Sequence, residues 1–257
     1  LVLLSQNIAH MRKKVKNLED NAAKVGLRIN AGKTKEMRVK TTGNARPCEC
    51  RGQPLERVEN FTYLGSVVDL QGGTNQDVKS RINKAQGAFT MLKPIWRSRQ
   101  ISLTTKIRIF RSNVKAVLLY GCETWGLTEQ LMKKIQVFIN KRLRFILRIW
   151  WPRRVMTEEI LHLAGEEPIE NTIRRRRWRW IGHTLRKEEG SITKRALTWT
   201  PQGKRRRGRP NHSWRRGTER DMAFTGTTWG QVKRTAQNRT RWRSLADALC
   251  SRSGKED

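Results

Sequence analysis

The stretch "TNQDVKSRINKAQGAFTMLKPIW", residues 74–96, marks the point where the character of the chain changes. Thr74 stands as an N-cap with Asp77 three residues on. Val78, Ile82, Ala85, Phe89 and Leu92 then recur at steps of three and four, which lays one apolar stripe along a helix. Pro94, lacking an N–H, ends or kinks that helix. Two further segments follow the same plan, "SLTTKIRIFRSNVKAVLLYGCETW" and "TEQLMKKIQVFINKRLRFILRIW". Each opens on a Ser or Thr cap and carries Ile, Phe, Leu and Val at helical spacing. Lys and Arg fill the opposite faces, so the expected structure is a packet of three helices with a basic exterior.

Before Thr74 the pattern is mixed. In "NIAHMRKKVKNLEDNAAKVGL" the residues Ile8, Met11, Val15, Leu18, Ala22 and Val25 form another apolar helix face, which Gly26 ends. "LRIN", "KEMRVK" and "FTYLGSVV" read as short strands, separated by the turn signals "TTGN", "RGQP" and "QGG". The opening "LVLLS" reads as the second half of a buried strand with more chain expected in front of it. The fold class is therefore α+β. Residues 1–73 carry short antiparallel strands, 74–150 form a mainly helical section, and 151–257 form a basic helical region.

Charge narrows the function. The chain of 257 residues holds 55 Lys and Arg against 22 Asp and Glu, a net charge of +33, and a field of that strength attracts polyanions. No run approaches 18 consecutive apolar residues and no secretory leader pattern occurs, so nucleic acid is the expected partner and a membrane is not. Cys48, Cys50, Cys122 and Cys250 fit neither a disulfide framework nor a zinc spacing and read as reduced intracellular thiols. His10, His162, His183 and His212 are scattered, without metal-ligand spacing.

Residues 171–220 concentrate the charge, with 17 Lys and Arg against Glu188, Glu189 and Glu219. In "RRRRWRW" the run Arg174, Arg175, Arg176, Arg177, Trp178 and Trp180 interleaves cations with aromatics, which suits phosphate contact combined with base stacking. Packing of Trp178, Trp180, Trp229 and Trp242 into a small helical core is the competing reading. Further on, Lys204, Arg205, Arg206, Arg207, Gly208, Arg209 and Pro210 form an RGRP element like an AT-hook, an extended segment suited to the narrow minor groove of A·T-rich DNA.

Taken in order, "LVLLS", "KVGLRINAGKTKEMRV", "FTYLGSVVDLQGG", "DVKSRINKAQGAF", "LLYGCETW" and "RRWRWIGHTLR" closely resemble the reverse transcriptase of non-LTR retrotransposons, the long interspersed (LINE-type) elements. The resemblance runs from just after the catalytic turn of that enzyme to near its C-terminus. It implies that residues 1–73 are the end of the palm, 74–150 the thumb and 151–257 a basic tail. It also implies that the two aspartates holding catalytic magnesium lie in front of Leu1. On that reading this part of the RNA-directed DNA polymerase does not polymerise alone and has no cofactor of its own, whereas the full-length nucleotidyltransferase uses Mg. Lys33, in "NAGKTK", corresponds by resemblance to the palm lysine that approaches the incoming nucleotide's phosphates and can protonate the departing pyrophosphate. Phe61, Tyr63, Leu64 and Gly65 look like the primer grip. Lys79, Arg81, Lys84, Lys106 and Arg108 would follow the backbone of a template–primer duplex.

The implied partners are RNA and DNA, in target-primed reverse transcription at a nicked chromosomal site. An endonuclease domain would stand earlier in the polyprotein, and the whole would act as a ribonucleoprotein of nucleus and cytoplasm. Two alternatives stay open: a stand-alone DNA-binding protein using the RGRP element, and a non-functional element remnant.

Overall fold

The structure is a computed structural model that describes residues 1–39, 46–70, 73–199 and 213–250. It divides into two compact units, Leu1–Asp77 and Val78–Asp257. The fold is α+β and mainly helical.

In the first unit, helix α1 spans Ile8–Lys24. The Asn7 side chain caps its start by accepting from the Ala9 N–H, and its end is a Schellman closure in which Leu27 N–H donates to Ala22 O and Gly26 N–H to Ala23 O. Gly26 supplies the left-handed conformation this closure requires, with φ +73°. The strands are short: β1 Lys35–Glu36, β2 Glu49–Cys50, β3 Gln53–Pro54, β4 Glu56–Arg57, β5 Asn60–Tyr63 and β6 Ser66–Asp69. They pair in twos. β2–β3 and β5–β6 are antiparallel hairpins, and β1–β4 is parallel, against the all-antiparallel expectation. A small core of Val15, Cys48, Cys50 and Leu55 joins α1 to the first hairpin, with Leu3, Ile8, Met11 and Ile29 packed around it.

Two expected strands are not present. "LVLLS" belongs to no strand, with Leu1 91% and Leu4 78% exposed, since a strand exists only through a partner ladder and none among the described residues reaches it. "LRIN" is also outside any sheet, because the Asn30 side chain accepts from Lys33 N–H and turns the chain into a single 3-10 turn over Ala31–Lys33.

Helix α2, Asn75–Met91, opens the helical section, and Asp77 accepts a hydrogen bond of 3.0 Å from the amide of Val67 in β6. Chain continuation past Met91 is interrupted at the expected place, with Pro94 in the first turn of the short α3, Lys93–Arg97. Next come α4 Leu103–Ile109, a π-helical turn over Phe110–Lys115, and α5 Ala116–Leu118. α6 spans Glu129–Leu147 and α7 Thr157–Leu163. The predicted caps Ser102 and Thr128 accept from the amides of Thr105 and Leu131. One core unites these helices through Phe89, Trp96, Phe110, Leu118, Trp125, Ile135, Leu143, Ile160 and Ile173.

A second core lies against the later part of α8, Ile169–Leu185. It is completed by α9 Ile192–Thr198, α10 Trp214–Phe224, α11 Trp229–Gln237 and α12 Arg239–Ala248. Trp178, Ile181, Val232 and Trp242 are its centre. α8 thus carries both cores of the second unit, its first turns in one and its last turns in the other.

Candidate nucleic-acid interface

From Val78 to Cys122 the chain has ten Lys and Arg and no Asp or Glu, and from Gln130 to Thr157 it has eight and again no acid. Since the apolar stripes of α2, α4 and α6 point into the first core, these cations are driven outward. Lys79, Lys84, Arg108, Lys133, Lys134 and Lys141 are exposed. The buried Glu166 takes two further cations of this section, Arg111 (2.6 Å) and Lys115 (2.5 Å). Within these two runs every exposed ionic side chain is a cation, which is the electrostatic requirement for tracking a phosphate backbone.

Two of the five cations assigned to this surface from sequence are turned inward. Arg81 is buried, its guanidinium 4.4 Å from the centre of the Tyr120 ring, because it follows Val78 by three residues and shares the apolar face. Lys106 is buried with its ammonium donating to Ser98 O, and burial followed by the nearby Arg148 lowers its pKa.

The "RRRRWRW" run divides in the same way. Arg174, Arg177, Trp178, Ile181 and Leu185 fall on one face of α8, and that face is buried. Asp221 of α10 receives all three polar groups, with Arg174 Nε at 3.0 Å, Trp178 Nε1 at 3.1 Å and Arg177 Nη1 at 4.0 Å. Arg174 also pairs with Glu170 one turn earlier, and Arg177 donates to Trp125 O at 2.9 Å. Burial lowers the Arg177 pKa, a shift that Asp221 opposes. Trp178 is fully buried against Trp242, so its ring has no face open to a base. Asp221, together with Glu170, thus neutralises Arg174 and Arg177 from within the protein. Arg175 and Arg176 are half-buried, the first on Glu167 and the second donating to Leu119 O. Trp180 is half-buried, edge-on to Trp214 at 6.0 Å.

In the first unit Lys33 is exposed at the end of the Asn30-capped turn. Phe61 and Tyr63 lie on β5, and Leu64 and Gly65 form the two-residue turn into β6, with φ +48° and +82°. Leu64 is 74% exposed at the tip. The RGRP element, Lys204–Pro210, lies outside the described residues.

A magnesium centre needs convergent carboxylates. Among the described residues no three His, Cys, Asp or Glu side chains come together to hold a metal. Glu19 accepts from the Arg51 amide, Asp69 from the Gly73 amide, and Glu36 from the Cys48 amide, so these acids close turns. The residues present do not fit that ion. All four cysteines are free and buried, and burial raises the thiols, Cys122 to about 12 and Cys50 and Cys250 to about 11. No helix among the described residues is long and apolar enough to cross a membrane.

One basic and aromatic cluster went unread in the sequence. Of "RIWWPRR", Arg148–Arg154, only Arg148–Trp150 figured there, as the end of a helical segment. In the structure it is a tight turn leaving α6, closed by Arg153 N–H to Trp150 O at 2.9 Å, with Trp150 and Trp151 on the surface.

Comparison with known proteins gives a relative in Caenorhabditis elegans that is named as transposon-derived and uncharacterized. It is 24% identical over 262 residues, covering 94% of this chain and 90% of the relative. A family described as a domain of unknown function (DUF6451) matches residues 88–120, the segment from the end of α2 to the end of the π-helical region and α5. No solved structure matches the chain.

Proposed function

We propose that this chain derives from a transposable element and is the C-terminal part of a non-LTR RNA-directed DNA polymerase, the part that grips template and primer. The observation that carries the reading is the acid-free run of cationic helices from Val78 to Cys122 and from Gln130 to Thr157, which offers a duplex one continuous sign of charge. The ordered motifs of the sequence and the similarity to a transposon-derived protein along 94% of the chain support the origin. In this role Lys79, Lys84 and Arg108 contact phosphates, and the β5–β6 hairpin with Leu64 at its tip approaches the primer end. Lys33 approaches the incoming nucleotide's phosphates. The activity proposed for the chain by itself is binding: among the described residues Glu19, Glu36 and Asp69 accept from backbone amides and Glu166 and Asp221 pair with cations, whereas polymerisation requires convergent carboxylates.

The test is a competition assay with an RNA–DNA hybrid, an RNA hairpin and A·T-rich duplex DNA at two salt concentrations. Preference for the hybrid, persisting as salt rises, is the expected result. Equal affinity for all three reduces the protein to charge-driven binding, and a preference for A·T-rich duplex transfers the function to the RGRP element. Nucleotide incorporation by the isolated chain on a primed template refutes the binding-only assignment.

A further inference from the structure

We propose that the turn after α6 is a stacking site for unpaired bases, placed beside the cationic helices so that a single-stranded segment continuing from a bound duplex is held there. This deepens the duplex-gripping reading above and rests on it.

An aromatic series runs from the first core to this surface. Trp96 stacks on Phe89 (5.2 Å between ring centres, 18° between planes), Phe89 meets Phe145 edge-on at 5.6 Å, and Phe145 meets Trp150 edge-on at 5.3 Å. Trp150 is thereby anchored while remaining 56% exposed. Its neighbour Trp151 is 82% exposed. Two adjacent exposed indoles make a contiguous aromatic patch, the kind of surface that marks an interaction site.

Cations frame the pair. Arg148 donates to Arg97 O at 3.0 Å, which ties the α3–α4 turn to the end of α6 and brings Arg97 to the site. Arg153 and Arg154 leave it on the other side, both exposed. Arg144 donates to Val155 O at 3.1 Å and holds this strap against α6. Among the described residues none of Arg97, Arg148, Arg153 and Arg154 forms an ion pair. The nearest acids in sequence, Glu158 and Glu159, sit in the first turn of α7.

Unpaired cations around an open indole match one chemistry, a base face flanked by phosphates. A protein partner with the same complementarity would have to present an apolar surface rimmed by acids. The +33 charge of the chain and its acid-free helices favour the polynucleotide.

The experiment uses the full chain and fluorescence anisotropy with three probes: a blunt RNA–DNA hybrid, the same hybrid with a six-nucleotide single-stranded extension, and that extension with its bases removed. The extension should tighten binding, and the base-free extension should lose most of the gain because phosphates alone do not stack. Trp151→Ala should weaken binding to the extended probe about ten-fold while leaving the blunt hybrid unchanged; Trp151→Phe should restore most of the loss. The exposure of Trp151 makes the Ala variant safe for folding. Equal gain from the base-free extension, or no effect of Trp151→Ala on the extended probe, overturns the inference while the duplex-gripping reading stands. Loss of self-association in Trp151→Ala with nucleic-acid affinity unchanged also overturns it, in favour of a protein contact. Tight Trp151-dependent binding of the extension without binding of the blunt hybrid supports the stacking site and refutes the duplex reading, and failure to bind any probe refutes both.

Discussion

Asp221→Asn is the substitution that distinguishes a structural arginine cluster from a ligand-binding one. Asp221 is the shared partner of Arg174 at 3.0 Å, Arg177 at 4.0 Å and the Trp178 indole at 3.1 Å, and all four residues are buried. The Asn side chain keeps the volume and one accepting oxygen but removes the charge, leaving two guanidiniums one helical turn apart with less to balance them. Removing one member of a buried ion pair costs about 3–5 kcal/mol. Arg174 keeps Glu170 and Arg177 keeps Trp125 O, which places the expected loss at the low end, about 3 kcal/mol. For a unit of this size that corresponds to a fall in Tm of about 6–12 °C. Thermal and urea unfolding followed by far-UV circular dichroism reads it directly. The same Asp221→Asn chain with Arg174→Met and Arg177→Leu added should regain most of the stability, because packed apolar groups replace the two cations while the Asn oxygen still accepts from the Trp178 indole. If Asp221→Asn leaves stability within about 1 kcal/mol of the parent and instead raises affinity for nucleic acid, the arginines are not structural and the assignment fails.

Gly182→Ala on α8 should be strongly destabilising, since the added Cβ would fall 2.0 Å from Trp242 Nε1 on a rigid buried indole; the overpacking, about 1–3 kcal/mol or more, outweighs the gain of about 1 kcal/mol in helix propensity. In a Trp242→Leu background the same change should turn neutral or stabilising, as read by urea midpoints. Leu64→Asn should stabilise the β5–β6 hairpin by about 1 kcal/mol, because Leu64 holds φ +48° while 74% exposed and Asn-Gly is the sequence that two-residue turn prefers; an unchanged or lower melting temperature counts against the turn assignment. Burial alone would raise the Glu36 carboxyl, but the Cys48 amide and Arg38 outweigh it and hold its pKa below the ordinary value of 4.5. Its contribution is therefore full above pH 4.5 and is lost as pH falls through the lower folded value, so the protection of the Cys48 amide, its exchange relative to the intrinsic rate at the same pH, should fall in acid and Glu36→Gln should remove that pH dependence. Burial, then the charge of Glu123, pushes the Cys122 thiol from 9.0 to about 12; stability is complete below the unfolded thiol's range and declines as pH rises from there towards 12, a decline that Cys122→Ala should reduce.

The helices of the middle section were legible from their stripes and from caps and breakers at fixed places. Ser102 and Thr128 cap where expected, Gly26 ends α1, and Pro94 interrupts the chain after α2. The strands were less so. Two-residue ladders such as Lys35–Glu36 with Glu56–Arg57 contain no period to read, and their pairing is set by contacts such as Glu36 with the Cys48 amide, twelve residues away. "LVLLS" had the composition of a strand, but composition does not provide the neighbour that makes one. The π-helical turn at Phe110–Lys115 interrupts a segment whose apolar spacing reads as one continuous helix.

The clearest lesson concerns charge. In "RRRRWRW" residue type suggested a phosphate-binding run, whereas the helical period already separated its members. Arg174 and Arg177 are in phase with Ile173, Trp178 and Ile181, while Arg179 falls on the opposite, exposed face. Cations in phase with a core stripe require an internal partner, and for Arg174 and Arg177 that partner, Asp221, stands more than forty residues later, where no local pattern points to it. Cations out of phase with a stripe require nothing from the protein. The charge offered to a polyanion is therefore the out-of-phase set, and it is densest where acids are missing altogether, on the helices of the first core and around the two surface tryptophans at the end of α6. Net charge predicts a polyanion partner; helical phase, more than the Arg count, determines which side chains stand open to one.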